Sequence, residues 1–159
     1  MRNKTPDSTA NASLLLDNQL CFALYSASLA MTKLYKPLLE QLGLTYPQYL
    51  VMLVLWEHDG ASVSTLGERL SLDSGTLTPL LKRMESSGWL TRQRSEEDER
   101  RVHVWLSPAG RQLQTKAAPI PVCIVRQSGL QLGELVALNQ QIKALRSAML
   151  APLAQPELS

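Results

Sequence analysis

Residues 62–106 carry the pattern that most restricts the fold of this chain. Ser62 opens a short amphipathic helix pattern, and Asp73 is placed to cap a second helix that ends at Gly88. From Trp89 the apolar residues change from helical spacing to alternation, which predicts two strands joined by a charged tip. The order helix, turn, helix, hairpin predicts a helix-turn-helix with a β wing, a geometry that reads DNA.

Helical patterns also precede this module. Residues 14–42 place apolar side chains three and four positions apart, which predicts one long helix that ends at Gly43. Residues 45–56 begin with a hydroxyl and a proline, as helix starts often do, and are then almost wholly apolar. We expect this second helix to be buried on most sides.

Two more helices are predicted after the hairpin. Ser107 and Pro108 begin one that falters at Pro119 and Pro121, and the last begins at Leu130. The last helix carries a seam that packs either against the chain's own core or against a second copy. Because the seam is long, terminal and follows a complete small domain, we favour dimerisation. The seam residues are Leu135, Leu138, Ile142, Leu145 and Met149.

Together these patterns predict a mainly α fold with a small β hairpin, in the α+β class. A winged helix-turn-helix is flanked by N- and C-terminal helices that form a dimerisation region. The predicted boundaries are a flexible N-terminus at 1–13, dimerisation helices at 14–44 and 108–150, a DNA-binding domain at 45–107 and a C-terminal tail at 151–159.

Composition and charge limit the function classes. A chain of 159 residues fits one compact domain or an intimate dimer. Its net charge of +2 is small, so any contact with DNA must be focused. The longest apolar stretch, residues 50–56, is far shorter than a membrane helix requires, and residues 1–13 lack the apolar core of a signal peptide. We therefore expect a cytoplasmic protein without a membrane partner.

The second helix of the module and the wing supply the candidate DNA contacts. Short hydroxyls at a helix N-terminus can approach bases and phosphates, Gly75 permits close approach, and cations neutralise phosphates. Asp98 is placed to pair with one arginine and stabilise the wing while another arginine enters a minor groove. An ordinary polar face and a solvated turn explain the same residues in isolation, but the neighbouring wing favours DNA. The candidates are Ser74, Gly75, Thr76, Thr78, Lys82, Arg83, Arg94, Arg100 and Arg101, which should face outward, while Leu77, Leu80, Leu81 and Met84 pack inward.

The chain contains two cysteines, Cys21 and Cys123, far apart in sequence. The cytosol keeps such thiols reduced by default. With no CxxC motif and no histidine at ligand spacing, neither a metal site nor a cofactor is expected. Each cysteine is therefore either an inert core residue or a reactive thiol.

Several segments resemble a known family. The chain is similar to the MarR family of winged-helix repressors in residues 72–85, 98–102 and 106–110. It resembles that family's organic-hydroperoxide-sensing branch, the OhrR regulators, in residues 16–25, 35–39 and 44–49. The resemblance covers residues 14–112 closely and the remaining helices loosely.

The resemblance implies a redox site. By it, Cys21 is the thiol that peroxides oxidise, and Tyr35 and Tyr46 are the tyrosines that hydrogen-bond it. Fourteen residues of one straight helix span about 21 Å, so Cys21 and Tyr35 of one chain do not touch. If they meet, the contact crosses a dimer interface.

A resolving role for Cys123 is also implied by the resemblance, but its position is offset. In two-cysteine members an intersubunit disulfide resolves the oxidised thiol. Cys123 lies about one helical turn before the expected position, which Arg126 occupies, and a disulfide tolerates only about 4.4–6.8 Å between Cα atoms. Either Cys123 forms the disulfide with oxidised Cys21, or a small cellular thiol forms a mixed disulfide with Cys21.

The predicted function is a homodimeric repressor that binds a pseudo-palindromic double-stranded operator and releases it when an organic hydroperoxide oxidises Cys21. Two copies are expected because one module with so few cations would bind weakly. A repressor released by a small aromatic ligand is the alternative in the same architecture. A thiol peroxidase is a third hypothesis, but no CxxC at a helix start and no second acid/base group supports it. We therefore do not expect an enzyme.

Overall fold

The computed structural model describes residues 11–154, which form two compact units, 11–118 and 119–154. Residues 1–10 of the predicted N-terminal segment and residues 155–159 of the predicted tail lie outside the described residues. The first unit contains helices α1 (Leu20–Glu40), α2 (Tyr46–Glu57), α3 (Val63–Leu70), α4 (Ser74–Ser86) and α5 (Pro108–Ala117), with strands β1 (Leu90–Arg94) and β2 (Val102–Leu106) between α4 and α5. The second unit contains α6 (Ile120–Ser128) and α7 (Leu132–Leu150).

The helix starts predicted at residues 45, 62, 73 and 107 are confirmed by their caps. In each case a side-chain oxygen accepts a hydrogen bond from the backbone N–H three residues later, which satisfies an otherwise unpaired donor. At α2 the cap is reciprocal, because the Gln48 side chain also accepts from the backbone of the capping residue. The capping residues are Thr45, Ser62, Asp73 and Ser107.

The prediction of one helix over residues 14–42 is wrong at its N-terminal end. A short 3-10 turn at Leu16–Asn18 precedes α1, and Gln19 is extended, with φ −90° and ψ 113°. The Asn18 amide donates to the Ala12 carbonyl at 2.7 Å, and the Gln19 amide donates to the Leu15 carbonyl at 2.8 Å. These side chains bond backbone carbonyls that a continuous helix would use, so the helix begins at residue 20.

The core of the first unit is built from α2, the inner face of α4 and the hairpin. The predicted inward set of α4, Leu77, Leu80, Leu81 and Met84, is buried, as are five residues of α2. Leu90 pairs with Leu106 at the base of the hairpin, and both side chains are buried. The prediction that residues 45–56 form a buried helix is therefore confirmed.

The hairpin is the two-stranded antiparallel wing that the alternation predicted. The outer edge of β2 is attached to the segment before α3, because the Val104 N–H donates to the Ala61 carbonyl at 2.9 Å and Ser62 bridges His103. The Asp59 carboxylate also accepts from the Leu106 N–H at 2.8 Å. β2 is therefore held by backbone hydrogen bonds and, at its C-terminal end, by the half-buried carboxylate of Asp59.

The second unit begins at the break predicted around Pro119 and Pro121. α6 starts between these prolines and ends at Gly129, whose φ of +74° is readily adopted by glycine. No residue of α7 is buried within this chain. Its large exposed apolar side chains are Leu132, Val136, Leu138, Ile142, Met149 and Leu150. Among residues 11–154 no helix is long and apolar enough to cross a membrane.

Candidate thiol site and nucleic-acid interface

Cys21 lies in the first turn of α1 and its side chain is exposed. Exposed apolar side chains lie on both sides of it around α1, among them Leu20, Phe22, Tyr25 and Leu29. A peroxide in solvent can therefore reach the sulfur of this chain. Tyr25, one turn after Cys21 on α1, is 62% exposed and was not selected from the sequence.

Tyr35 and Tyr46 are brought together by the packing of α1 against α2. Their ring centroids are 5.0 Å apart, and Tyr49 completes a cluster at 5.9 Å from Tyr35 and 6.5 Å from Tyr46. Tyr49 was not predicted from the sequence, although its position three residues after Tyr46 puts both on one side of α2. Aromatic side chains thus gather where the C-terminal half of α1 meets the start of α2.

The tyrosine cluster remains protonated near neutral pH. Burial, with the neighbouring phenols Tyr46 and Tyr49 as lesser causes, raises the pKa of Tyr35 to about 12. Burial also raises the pKa of Tyr46 and of Tyr49. Protonated phenols keep an O–H that can donate a hydrogen bond. The cluster therefore offers donors, suited to an anionic acceptor such as a thiolate.

These raised pKa values predict a loss of stability in alkali. A phenol with pKa about 12 in the folded chain and about 10 when unfolded contributes stability that is complete below pH 10 and is lost as pH rises toward 12. We expect the free energy of unfolding, measured by urea titration, to fall between pH 9 and pH 11.5. The fall should be smaller in Tyr35→Phe. An equal fall in both proteins would contradict this origin.

Cys21 and the tyrosine cluster occupy different parts of one chain. Both Cys21 and Tyr35 lie on α1, and fourteen residues of helix correspond to about 21 Å. The structure therefore brings the two predicted tyrosines to each other but leaves the predicted thiol away from Tyr35 in a single copy. Cys123, in α6, is half-buried, and Arg126 follows it by one turn in the same helix.

The candidate DNA-contacting residues of α4 lie on its outer face. Ser74, Gly75 and Thr76 are exposed in its first turn, and Lys82 and Arg83 are exposed further along. Thr78 is half-buried. An open groove of about 800 Å³ separates α3 and the N-terminal half of α4 from the wing, and Arg92 and Arg100 line it. The carboxylates of Glu68 and Asp73 also line this groove, and the positive end of the α4 dipole and the hydroxyls of its first turn can interact with phosphate.

At the wing tip, Asp98 is bonded as the sequence predicted. Its carboxylate accepts from the Arg100 backbone N–H at 3.1 Å and from Arg100 Nε at 3.4 Å, and it lies 4.0 Å from Arg101 Nε. The Ser95 N–H donates to the Arg101 carbonyl at 2.8 Å, which closes the tip. Arg94 and Arg101 remain exposed.

Besides the pairs within the wing tip, an ion pair between Glu85 and Arg92 joins α4 to the wing. It was not predicted from the sequence. The Glu85 carboxylate accepts from the backbone N–H, Nε and Nη2 of Arg92 at 2.9, 3.1 and 2.9 Å. These bonds lower the pKa of Glu85, the backbone bond most strongly. The sequence offered little to indicate this pair, since Glu85 is one acid on a helix and Arg92 one base on a strand.

The fold and these surfaces define a winged helix-turn-helix protein, and comparison with known proteins identifies the family. The family model described as "Transcriptional regulator SarA/Rot" matches residues 33–116. The organic hydroperoxide resistance transcriptional regulator of Bacillus subtilis is 57% identical over 123 residues, covering 76% of this chain and 84% of that protein. The regulator TtmR of Methylorubrum extorquens is 48% identical over 143 residues, covering 90% and 73%.

Solved structures agree with these relatives. Reduced AbfR bound to DNA matches with a TM-score of 0.73 at 34% identity, covering 89% of this chain and 99% of that one. A second structure, described as AbfR of Staphylococcus epidermidis, matches with a TM-score of 0.66 at 36% identity, covering 87% of this chain and 99% of that one. This chain therefore belongs to the MarR family of winged-helix transcriptional regulators, in the branch of the organic hydroperoxide regulators. The predicted family and the predicted fold class are confirmed.

Proposed function

We propose that this protein is a homodimeric repressor that binds a pseudo-palindromic operator and releases it when an organic hydroperoxide oxidises Cys21. The observation that carries the proposal is the arrangement of α1. An exposed thiol with exposed apolar neighbours lies at one end of this helix, and the half-buried phenol of Tyr35 lies toward the other, beside that of Tyr46. A relative that is 57% identical is named as an organic hydroperoxide resistance regulator, which supports the choice of signal.

DNA binding is supported by the outer face of α4 and by the wing. Hydroxyls and Gly75 at the start of α4 can approach base edges, and Lys82 and Arg83 can neutralise phosphates. Asp98 accepts from Arg100 and lies 4.0 Å from Arg101, which holds the tip, and the exposed guanidinium groups of Arg94 and Arg101 can enter or flank a minor groove. The solved relative AbfR, with a TM-score of 0.73, is described as bound to DNA.

Dimerisation is supported by apolar surface that each unit leaves exposed. α1 exposes Leu20, Phe22 and Leu29, and α7 exposes a longer set that includes part of the predicted seam, Leu138, Ile142 and Met149. Surface of this kind costs free energy in water and is covered in stable assemblies. In a symmetric dimer the thiol of one copy can meet the tyrosines of the other, which separation along α1 prevents in one copy.

The chemistry uses the sulfur as nucleophile. The Cys21 thiolate attacks the terminal oxygen of the hydroperoxide, the O–O bond breaks, and the leaving alkoxide takes a proton to become an alcohol. The cysteine is oxidised to a sulfenic acid. A second thiol, from Cys123 or from a small cellular thiol, then attacks this sulfur, forming a disulfide and releasing water. Phenol donors of the partner stabilise the initial thiolate, and their displacement on oxidation links the sulfur to the spacing of the two α4 helices.

The test is operator release measured by fluorescence anisotropy. The probe is a labelled duplex of the region upstream of the protein's own gene, titrated before and after one equivalent of cumene hydroperoxide. We expect oxidation to weaken binding by at least about 100-fold, a coupling of the size found between allosteric sites. The Cys21→Ser variant should bind the duplex with the same affinity before and after peroxide. Release that persists in Cys21→Ser would overturn the redox mechanism.

The role of Cys123 is separated from that of Cys21 by non-reducing electrophoresis of the same samples. A dimer-sized band after peroxide, absent in Cys21→Ser and in Cys123→Ser, would make Cys123 the resolving thiol. If no such band forms but one thiol is lost in a Cys21-dependent way, sensing stands and a small cellular thiol caps Cys21.

A specific cavity supports the alternative signal, a small aromatic ligand. It measures about 360 Å³ between α1 and α2, and its lining combines apolar side chains with two lysines that suit an aromatic carboxylate. Salicylate is the probe, and this mechanism requires release of the duplex by millimolar salicylate in Cys21→Ser as well as in the wild type. The lining residues are Thr32, Lys33, Lys36, Leu39, Glu40, Leu44, Thr45 and Tyr46.

A further inference from the structure

We infer that Glu85 and Arg92 form a positioning pair that holds the wing at one angle to α4, and that operator affinity depends on it. The inference rests on the proposed DNA-binding function and adds a residue pair that acts by positioning the wing and is not among the proposed DNA contacts. Its basis is the way in which the two edges of the wing are attached to the rest of the first unit.

The β2 edge is held mainly by backbone. It bonds Ala61 through Val104, bridges Ser62 through His103, and ends on the Asp59 carboxylate. These bonds connect β2 to the segment between α2 and α3. They leave the angle between the wing and α4 to the other edge of the hairpin.

The β1 edge is held to α4 by Glu85. Among the hydrogen bonds and ion pairs of residues 11–154, those between α4 and β1 are the three that Arg92 donates to the Glu85 carboxylate. One of these three bonds is donated by the Arg92 backbone N–H. The Glu85 carboxylate therefore satisfies a backbone donor on the edge of β1 that does not face β2, as well as the guanidinium. Arg92 lies opposite Val104 in the middle of the hairpin, between the buried base and the tip.

The pair is sheltered enough to be stable. The side chains of Arg92 and Glu85 are 26% and 34% exposed, and the planar guanidinium meets one carboxylate oxygen through two nitrogens. Binding to DNA demands that α4 and the wing meet their grooves together. A free wing would lose rotational freedom on binding, which costs affinity.

The chain offers a matched control in Glu57 and Arg69. Their carboxylate oxygen and guanidinium nitrogen are 2.7 Å apart and join α2 to α3, not α4 to the wing. Glu57→Gln and Glu85→Gln each remove one negative charge by the same substitution. If charge alone mattered, both variants would bind DNA more tightly than the wild type, because DNA is an anion. Positioning predicts the opposite sign for Glu85→Gln only.

The experiment measures the full-length protein in two ways. Hydrogen–deuterium exchange without DNA should rise by about tenfold or more in residues 90–101 of Glu85→Gln and stay at the wild-type rate in Glu57→Gln. Anisotropy with the operator duplex should show binding weakened by about tenfold in Glu85→Gln, as removal of a charge-assisted bond implies. Arg92→Lys keeps the charge and the backbone donor, so its affinity should lie between Glu85→Gln and the wild type.

The outcomes distinguish this inference from the proposed function. Unchanged exchange in the wing of Glu85→Gln overturns the positioning role, whatever the DNA result. Faster exchange with unchanged or tighter operator binding also overturns it, since the wing angle then does not govern affinity. If the wild type fails to bind the duplex, the proposed function fails, while the exchange data still decide whether Glu85 holds the wing.

Discussion

Replacement of Gly110 by alanine is expected to lower the free energy of unfolding by about 3 kcal/mol. A Cβ at this position in α5 would overlap the backbone carbonyl oxygen of Trp89 and lie 3.2 Å from its carbonyl carbon. Backbone cannot rotate away as a flexible side chain can, so α5 must shift from the base of the wing. The Gly110 carbonyl also accepts from the Trp56 indole at 3.0 Å, and the same shift would weaken that bond.

Urea unfolding followed by circular dichroism measures this effect, and tryptophan fluorescence, to which Trp56, Trp89 and Trp105 all contribute, follows the same transition. Gly133→Ala is the matched control, because among residues 11–154 no atom beyond its chain neighbours and its own helix backbone lies within 4 Å of the added methyl. In α7 the alanine should leave stability unchanged or raise it by about 0.5 kcal/mol, since glycine is the poorer helix former. If the free energy of unfolding of Gly110→Ala lies within 1 kcal/mol of the wild-type value, close packing of α5 against the Trp89 backbone is contradicted.

Leu77→Ala is expected to destabilise the protein by about 3 kcal/mol, within the range for buried leucines. Leu77 is fully buried on the inner face of α4. A methyl built on Gly67 of α3 would lie 3.8 Å from Leu77 Cδ2, so the side chain fills the contact between the two helices. Loss of its methyl groups leaves a cavity that rigid neighbours close only in part. Thermal and urea unfolding measure the loss.

The adjacent Thr76→Ala variant should behave in the opposite way. Thr76 is exposed, and its backbone N–H is capped by Asp73 at 2.8 Å whatever the side chain. We expect stability within about 0.5 kcal/mol of the wild type. If its hydroxyl bonds DNA as proposed, operator affinity should fall about fivefold. Unchanged affinity in Thr76→Ala would remove this residue from the proposed interface without touching the fold.

Local signals account for the accuracy of the predicted elements. Caps such as Asp73 and Ser107 lie next to the backbone donors that they satisfy, so a few residues contain the whole interaction. The alternation after Trp89 predicted the hairpin because side chains on a strand point to opposite faces in turn. The prediction failed at residues 14–19, where the amides of Asn18 and Gln19 bond carbonyls that apolar spacing alone assigned to a helix.

Contacts between distant segments were not predictable in the same way. Glu85 and Arg92 belong to different elements, and their pairing depends on how β1 lies along α4. Tyr49 joins Tyr35 only because α1 and α2 pack at that point. The pairing of Asp98 with one arginine was predictable because the tip is short, and the structure shows that this arginine is Arg100.

The order of the helices and strands, the helix caps, the inward face of α4 and the wing were predictable from the sequence, because they depend on periodicity and on residues close along the chain. The family was indicated by the resemblance of several segments. Packing, in contrast, sets which side chains share a site. It gathered three tyrosines and raised their pKa by burial, and it left Cys21 exposed at the other end of α1. It also tied the wing to α4 through one carboxylate. Desolvation and ion pairing depend on the distance and burial that packing sets, and a list of residues contains neither.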